Sequence, residues 1–319
     1  MQNVTDRPQA SGFVQSDDGL RIHWRSVGSG PPVVCCNGVG VSTFFWKYVI
    51  EQLSKTHRVL LWDYRGHGRS SRDLDLERHD LGIARHARDL EMVLDDAGIV
   101  RPALVMGHSM GCQVALELAR KSPARVAALG LWLGTAGRTL HTFAGWSGSY
   151  HVFRVIHAFV RAAGESVNRT QRVLLNSPLA WRVTRGFHLV DPYYTSRSDM
   201  EPYLRHMATM DMRVFLACAR GADTHDAWPD LGEMDVPALV VAAEKDTFTP
   251  ISCSRQMADT LPQGELFILA DASHAALIEQ PETIGFRLNR FIEERLTPWP
   301  DEHPSAAAHT APAHPGIGG

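Results

Sequence analysis

A serine bracketed by glycines stands at positions 107–111, in the order Gly-His-Ser-Met-Gly. The apolar run 103–106 before it predicts a short buried strand, and residues 112–121 after it predict a helix. A nucleophile on such a sharp turn takes a strained backbone conformation, and the residues two positions away on either side must be small. The adjoining helix N-terminus favours developing negative charge. We therefore predict that Ser109 is a nucleophile, the alternative being an ordinary serine in a glycine-rich turn.

A serine hydroxyl reacts at neutral pH only when a base takes its proton and a further group orients that base. His274 directly follows a predicted strand that ends at Ala270, and Asp246 directly follows one that ends at Ala243. Because the carboxyl ends of parallel strands meet at one edge of a sheet, both side chains are expected near Ser109. We predict His274 as the base and Asp246 as the acid.

Two other carboxylates could take the place of Asp246. Glu244 is still close to its strand and can point elsewhere, whereas Asp271 precedes His274 too closely to reach its ring easily. Both stay open as alternatives.

The chain has 16 histidines, so position rather than residue type must select the base. His108 is expected to point away from the cleft if its neighbour Ser109 points into it. His67 follows an earlier predicted strand, and we interpret it as a structural or cleft-wall residue.

The negative oxygen formed during acyl transfer needs preorganised hydrogen-bond donors. The backbone N–H of Met110, directly after the nucleophile, is one candidate, and that of Val39, in the loop after a predicted strand ending at Asn37, is the other. Gly38 and Gly40 on either side of Val39 would let that backbone approach a substrate closely. Gly38, Val39 and Met110 are therefore the predicted oxyanion and substrate-binding residues.

Strand and helix patterns alternate along most of the chain, which predicts an α/β fold with a mostly parallel central sheet flanked by helices. The alternation stops after Gly134 and resumes at Val236, so a helical cap is predicted between two late strands. The predicted division of the chain is a core of 12–135 and 225–296, a cap of 136–224, and disordered ends at 1–11 and 297–319.

Composition and charge limit the classes of function. The 319 residues are 44% hydrophobic and 21% charged, which is ordinary for a globular protein with a sizeable core. The net charge of −3 argues against nucleic acid or an anionic membrane as the main partner, and no segment approaches a membrane-spanning length. Five cysteines, two of them adjacent, predict free thiols. The N-terminus also lacks the apolar core of a signal peptide, so we expect a cytoplasmic protein.

The chain resembles the α/β-hydrolase superfamily, in the branch of capped serine esterases and lipases. The segments that carry the resemblance are 37–40, 63–70, 107–111, 245–250 and 273–274. They run in the family's order Ser, Asp, His, which implies the fold and the triad but says little about the substrate. Relatives usually carry a histidine where this chain has Asn37, and an asparagine can still hydrogen-bond and hold the loop. Similar haloalkane dehalogenases and epoxide hydrolases use an aspartate nucleophile, which the serine at 109 excludes.

The predicted function is hydrolysis of carboxylic esters through an acyl-enzyme on Ser109. The expected substrate is a partly apolar small-molecule ester, and no metal or organic cofactor is expected. A C–C bond hydrolase or a cofactor-free perhydrolase with the same triad is the first alternative. A non-catalytic ligand-binding member of the superfamily is the second. Aromatic candidates for the acyl pocket lie in the predicted cap: Trp146, Tyr150, Phe153, Phe159, Trp181 and Phe187.

Overall fold

The computed structural model describes residue 7 and residues 9–142, 148–177, 180–181 and 195–301. Its strands are β1 Gln9–Gln15, β2 Arg21–Val27, β3 Pro32–Cys36, β4 Arg58–Trp62, β5 Ala103–His108, β6 Val126–Trp132, β7 Ala238–Ala243 and β8 Gly264–Leu269. They form one sheet in the order β1-β2-β4-β3-β5-β6-β7-β8. The pairs β1–β2 and β2–β4 are antiparallel, and the remaining pairs are parallel. The predicted α/β fold with a mostly parallel central sheet is confirmed.

Helices cover both faces of this sheet. Their bounds are α1 Lys47–Leu53, α2 Ile83–Asp96, α3 Met110–Lys121, α4 Thr139–Thr142, α5 Ser149–Ala163, α6 Glu165–Leu175, α7 Arg197–Thr209, α8 Met212–Thr224, α9 Ile251–Thr260, α10 Ala276–Glu279 and α11 Pro281–Arg295. Alternate residues of β3 enter two separate cores: Val34 and Cys36 pack with α2 and α3, whereas Val33 and Cys35 pack with α1 and α11. Every residue of β3, β5, β6 and β7 is buried, as expected for parallel strands between two helical layers. All five cysteines lie within the described residues, are buried and form no disulfide bond there.

Helices α4 to α8, here called the helical segment, lie in the chain between β6 and β7. Helix α8 is fixed on the core by Val214, Cys218 and Ala222, which recur every four residues and are buried. The limits of the predicted cap, 136 and 224, stay a prediction. Within the described residues no helix has the length and hydropathy needed to cross a bilayer.

Both predicted chain ends need correction. The first strand begins at Gln9 rather than after residue 11, because β2 continues to Val27 and offers backbone partners to Gln9, Ala10 and Ser11. At the other end, Trp299 is half-buried and donates its indole N–H to the carbonyl oxygen of Pro102 at 2.9 Å. A single large aromatic side chain thus anchors residues that composition alone predicts as disordered. Residues 1–6 and 302–319 lie outside the described residues.

Candidate active site

Ser109 occupies the strained turn between β5 and α3. Its φ of 55° and ψ of −120° lie in a region that side chains other than glycine rarely adopt. A Cβ atom on Gly107 would lie 2.3 Å from the carbonyl oxygen of Gly111, and one on Gly111 would lie 2.1 Å from that of Cys36. Both positions therefore require glycine, and the spacing of the 107–111 segment is a steric requirement of this turn.

His274 and Asp246 come together at the same edge of the sheet, in the loops after β8 and β7. The His274 Nδ1 and Asp246 Oδ2 atoms are 2.9 Å apart. The other carboxylate oxygen, Oδ1, accepts the backbone N–H groups of Phe248 at 2.8 Å and Thr249 at 3.1 Å. Burial raises the pKa of Asp246, but His274 and the hydrogen bonds from Thr249 outweigh it and hold the pKa below its usual value. Asp246 is therefore ionised at neutral pH and can orient the imidazole.

The two alternative acids have other partners. Glu244 accepts the backbone N–H of Asp271 at 3.3 Å, and the Asp271 carboxylate pairs with Lys245 at 3.0 Å on the surface. Among the carboxylates that the structure describes, Asp246 alone hydrogen-bonds the ring of His274. Geometry thus favours Asp246 as the acid.

Ser109 and His274 line one cavity of about 260 Å³. His108 lines it as well, contrary to the expectation that it points away. Its Nε2 atom is 3.0 Å from the backbone oxygen of His274, and because a carbonyl oxygen only accepts, this nitrogen carries the proton. Burial, followed by the charge of His274, lowers the pKa of His108 to about 3. A neutral His108 therefore supports the backbone of the predicted base.

The loop after β3 approaches the nucleophile, as the oxyanion prediction requires. A Cβ atom on Gly38 would lie 3.2 Å from the Cβ of Ser109, and Gly38 and Val39 both line the cavity. Met110 is the first residue of α3, so its N–H belongs to the first turn, whose donors have no partner within the helix. The predicted oxyanion donors thus flank Ser109 from two elements.

Asn37, which replaces the histidine usual in relatives, holds this loop through both ends of its amide. Its Nδ2 donates to the carbonyl oxygen of Trp62 at 2.7 Å, and its Oδ1 accepts the indole N–H of Trp46 at 2.9 Å. The Tyr64 hydroxyl donates to the Asn37 carbonyl oxygen at 2.8 Å. The departure from the usual pattern therefore leaves the loop firmly attached to β4.

The remaining cavity wall is apolar and comes largely from the helical segment. Its members on this side are Leu175, Met200, Tyr203, Leu204, Met207 and Phe215. Four of the aromatic candidates proposed from sequence are not among the described lining residues: Tyr150, Phe153, Phe159 and Trp181. Phe159 is 64% exposed. Trp146 and Phe187 lie outside the described residues. The spacing of Met200, Leu204 and Met207 along α7 is the sequence signal that could have identified the correct helix.

No charged side chain is among the described lining residues of this cavity, and its polar side chains are those of His108, Ser109, Tyr203 and His274. In the part of the chain that the structure describes, no group of three His, Cys, Asp or Glu residues is placed to hold a metal ion. Besides backbone groups, the polar groups of the described lining are therefore two hydroxyls and two imidazoles.

Comparisons with known proteins identify the family to which this fold belongs. A family model described as the alpha/beta hydrolase fold matches residues 31–281. The chain is 30% identical to RutD of Variovorax paradoxus, covering 88% of this chain and 98% of the relative, and 27% identical to RutD of Agrobacterium fabrum, covering 86% and 97%. To both relatives carbamate hydrolysis has been assigned provisionally.

Solved structures are similar over the same extent. A hydrolase from Pseudomonas aeruginosa superposes with a TM-score of 0.71 at 23% identity, covering 88% of this chain and 98% of that one. An esterase from Exiguobacterium antarcticum gives a TM-score of 0.69 at 19% identity, with the same coverage. These likenesses concern the fold, and the family match extends from β3 to the start of α11. The chain is a hydrolase of the alpha/beta hydrolase fold family.

Proposed function

We propose that this protein is a serine hydrolase that cleaves small, uncharged and largely apolar carboxylic esters through an acyl-enzyme on Ser109. The observation that carries this proposal is the arrangement around the cavity. A serine on a strained turn shares that cavity with a histidine whose far nitrogen is held at 2.9 Å by a buried carboxylate. Nucleophile, base and orienting acid are the three parts that acyl transfer by serine needs.

The reaction follows from these positions. Asp246 occupies the Nδ1 side of His274, so Nε2 is the nitrogen that takes the Ser109 proton as the hydroxyl attacks the ester carbonyl. Asp246 stabilises the imidazolium, and the N–H groups of Met110 and Val39 receive the negative oxygen. His274 then protonates the departing alcohol. Water, deprotonated by His274, releases the acid and restores the serine.

The cavity favours substrates that are short and carry no charge. At about 260 Å³ it is slightly smaller than typical ligand sites, which span roughly 300–1,000 Å³. A charged group would lose its water there without gaining an ionic partner among the described lining residues, which is costly. Esters of short, neutral acids fit both conditions.

Carbamate hydrolysis is a second candidate, favoured by the similarity to the two RutD proteins. The same serine attack can occur at a carbamoyl carbon, which is less electrophilic than an ester carbon because its nitrogen donates electron density to the carbonyl group. The apolar lining favours an uncharged carbamate ester over a free carbamate anion for the reason given above. The two candidates differ in the group that is transferred to Ser109.

One set of rates tests both candidates. Turnover is measured for p-nitrophenyl butyrate, for p-nitrophenyl N-methylcarbamate and for the mono-p-nitrophenyl ester of succinic acid, which carries a charge. We expect the neutral butyrate to be the best substrate and Ser109→Ala to lower its kcat by roughly 10³-fold or more. Ser166→Ala, at an exposed serine of α6, is the matched control and keeps the wild-type rate.

Mass spectrometry locates the covalent intermediate. A fluorophosphonate is expected to label Ser109 in the wild type and to leave Ser109→Ala unlabelled. Equal turnover by wild type and Ser109→Ala would refute the proposal. A carbamate rate above the butyrate rate would assign the second candidate instead.

A further inference from the structure

His67, which the triad does not use, makes a hydrogen bond to the middle of the oxyanion loop (residues 37–42). The side chain is fully buried. Its Nδ1 is 2.9 Å from the carbonyl oxygen of Arg65, so Nδ1 must carry the proton. Its Nε2 is then a lone-pair acceptor, and it receives the backbone N–H of Gly40 at 3.1 Å. Burial lowers the pKa of His67 to about 4, which keeps this neutral form at neutral pH.

The Arg65 end of this link is itself rigid. The Arg65 side chain is buried and donates from Nη2 to Asp89 Oδ1 and to Ser16 Oγ, each at 2.8 Å. These contacts attach the loop after β4 to α2 and to the turn after β1. His67 thus joins the oxyanion loop to a part of the core that is fixed by charged hydrogen bonds.

The Gly40 end lies next to the predicted donor Val39. Gly40 has a φ of +69°, and a Cβ there would lie 2.8 Å from Met207 Sδ and 2.9 Å from the Phe215 ring, so α7 and α8 press on this loop from the other side. Asn37 holds the beginning of the loop, as described above. At its end the Ser42 hydroxyl donates to Asp63 at 2.6 Å.

We propose that His67 is a positioning residue that holds Gly40, and through it the Val39 N–H, in the place where the substrate oxygen becomes negative. This inference rests on the proposed serine-hydrolase function. Oxyanion donors act by being preorganised, so a displaced loop lowers the rate of the chemical step more than it weakens substrate binding. Replacing a histidine that only filled the core would lower stability without lowering the rate of the chemical step more than substrate binding.

A pair of substitutions of equal length separates the two roles. His67→Gln places an amide oxygen near the position of Nε2 and can accept the Gly40 N–H, whereas His67→Met fills the same space without an acceptor. We expect His67→Met to lower kcat for p-nitrophenyl butyrate by about 10- to 100-fold with KM within about threefold. His67→Gln should stay within about threefold of wild type in both constants.

His86 provides the matched control. It is equally buried, and its ring centroid lies 4.6 Å from that of Tyr64, but its Nε2 atom contacts the Cys218 sulfur at 3.8 Å rather than the oxyanion loop. His86→Met should therefore leave kcat within about threefold. Should His67→Met not fold, His67→Asn replaces it, because its shorter amide reaches Arg65 but not Gly40.

Hydrogen exchange tests the link without relying on activity. Peptides that cover residues 38–42 should exchange faster in His67→Met than in wild type, and His67→Gln and His86→Met should match wild type there. Unchanged exchange in His67→Met, a wild-type kcat in that variant, or an effect confined to KM would overturn the inference. If Ser109→Ala kept full turnover, the proposed function would fail while the exchange result would still decide whether His67 holds the loop.

Discussion

The two walls of the Ser109 cavity are built from different interactions. On the sheet side, loops after β3, β5, β7 and β8 carry side chains fixed by directional hydrogen bonds, such as the 2.9 Å contact between His274 and Asp246. On the helical side, α7 and α8 present apolar residues such as Leu204 and Phe215. Directional bonds define positions to fractions of an ångström, whereas apolar packing mainly defines volume. We therefore propose that the sheet side determines reactivity and that the helical side determines the size of the substrate.

The sheet side owes its precision to strand register. Cys36 pairs with Gly107, His108 with Trp132, and Ala243 with Leu269. The loops that hold the site therefore leave the sheet at one level. Helices of the helical segment have no such ladder. Side-chain packing places them, together with single hydrogen bonds such as the one from Gln113 Nε2 to the carbonyl oxygen of Ala222 at 2.8 Å.

The largest expected effect is on the sheet side. Asp246→Asn should lower kcat by roughly 10³- to 10⁴-fold with little change in KM, because a neutral amide neither stabilises the imidazolium nor maintains the reactive tautomer. Steady-state kinetics on p-nitrophenyl butyrate measures this. Asp271→Asn and Glu244→Gln serve as controls and should retain wild-type rates. A strong loss in either control would reassign the acid.

A change on the helical side should alter preference rather than chemistry. Leu204→Ala enlarges the cavity, so the ratio of kcat/KM for p-nitrophenyl octanoate to that for butyrate should rise about tenfold, the scale of a methylene contact. Leu174→Ala, at a side chain that is 54% exposed on α6, is the control and should leave the ratio unchanged. A uniform loss of kcat for both esters would contradict the division between the two walls.

The smallest effect on activity is expected where the helical segment rejoins the core. Glu117 of α3 is 3.3 Å from His225, directly after α8, and also pairs with Arg120. Burial raises the pKa of Glu117, but the bonds from His225 and Arg120 outweigh it and lower the pKa from 4.5 to about 2. A carboxyl group with a lowered folded-state pKa stabilises the fold above its unfolded pKa, and this contribution is lost as pH falls from about 4.5 to about 2.

Glu117→Gln should therefore lower the free energy of unfolding at pH 7 by about 1–2 kcal/mol while leaving kcat near wild type. Urea unfolding at a series of pH values from 7 downward measures the difference in the free energy of unfolding between wild type and Glu117→Gln. That difference should be constant to about pH 5 and shrink below it. A constant difference down to pH 3 would show that charge does not attach the helical segment at this point.

Sequence reasoning succeeded where local rules apply. The glycines around Ser109 are required because any Cβ there would create contacts of 2.1–2.3 Å. Their spacing alone therefore predicts the sharp turn. Strand periodicity placed Asp246 and His274 directly after β7 and β8, where the structure has them. The mostly parallel sheet follows from the same strand periodicity, whereas the order Ser, Asp, His was matched through the resemblance to the superfamily.

It failed where a contact depends on packing between distant elements. Four of the six aromatic candidates are not among the described lining residues, to which α7 instead contributes Met200, Leu204 and Met207. Trp299 anchors to a carbonyl 197 residues away, which composition cannot reveal.

The amino-acid sequence by itself determined the turn at Ser109 and the chain positions of the proposed base and acid, because steric demands and strand periodicity act over a few residues. Only the tertiary structure decided the roles of the other histidines. His108 reaches the backbone of His274 across 166 residues and His67 reaches Gly40 across 27. Such contacts exist only once the sheet has brought its loops together, and we propose that they hold the reacting groups in place.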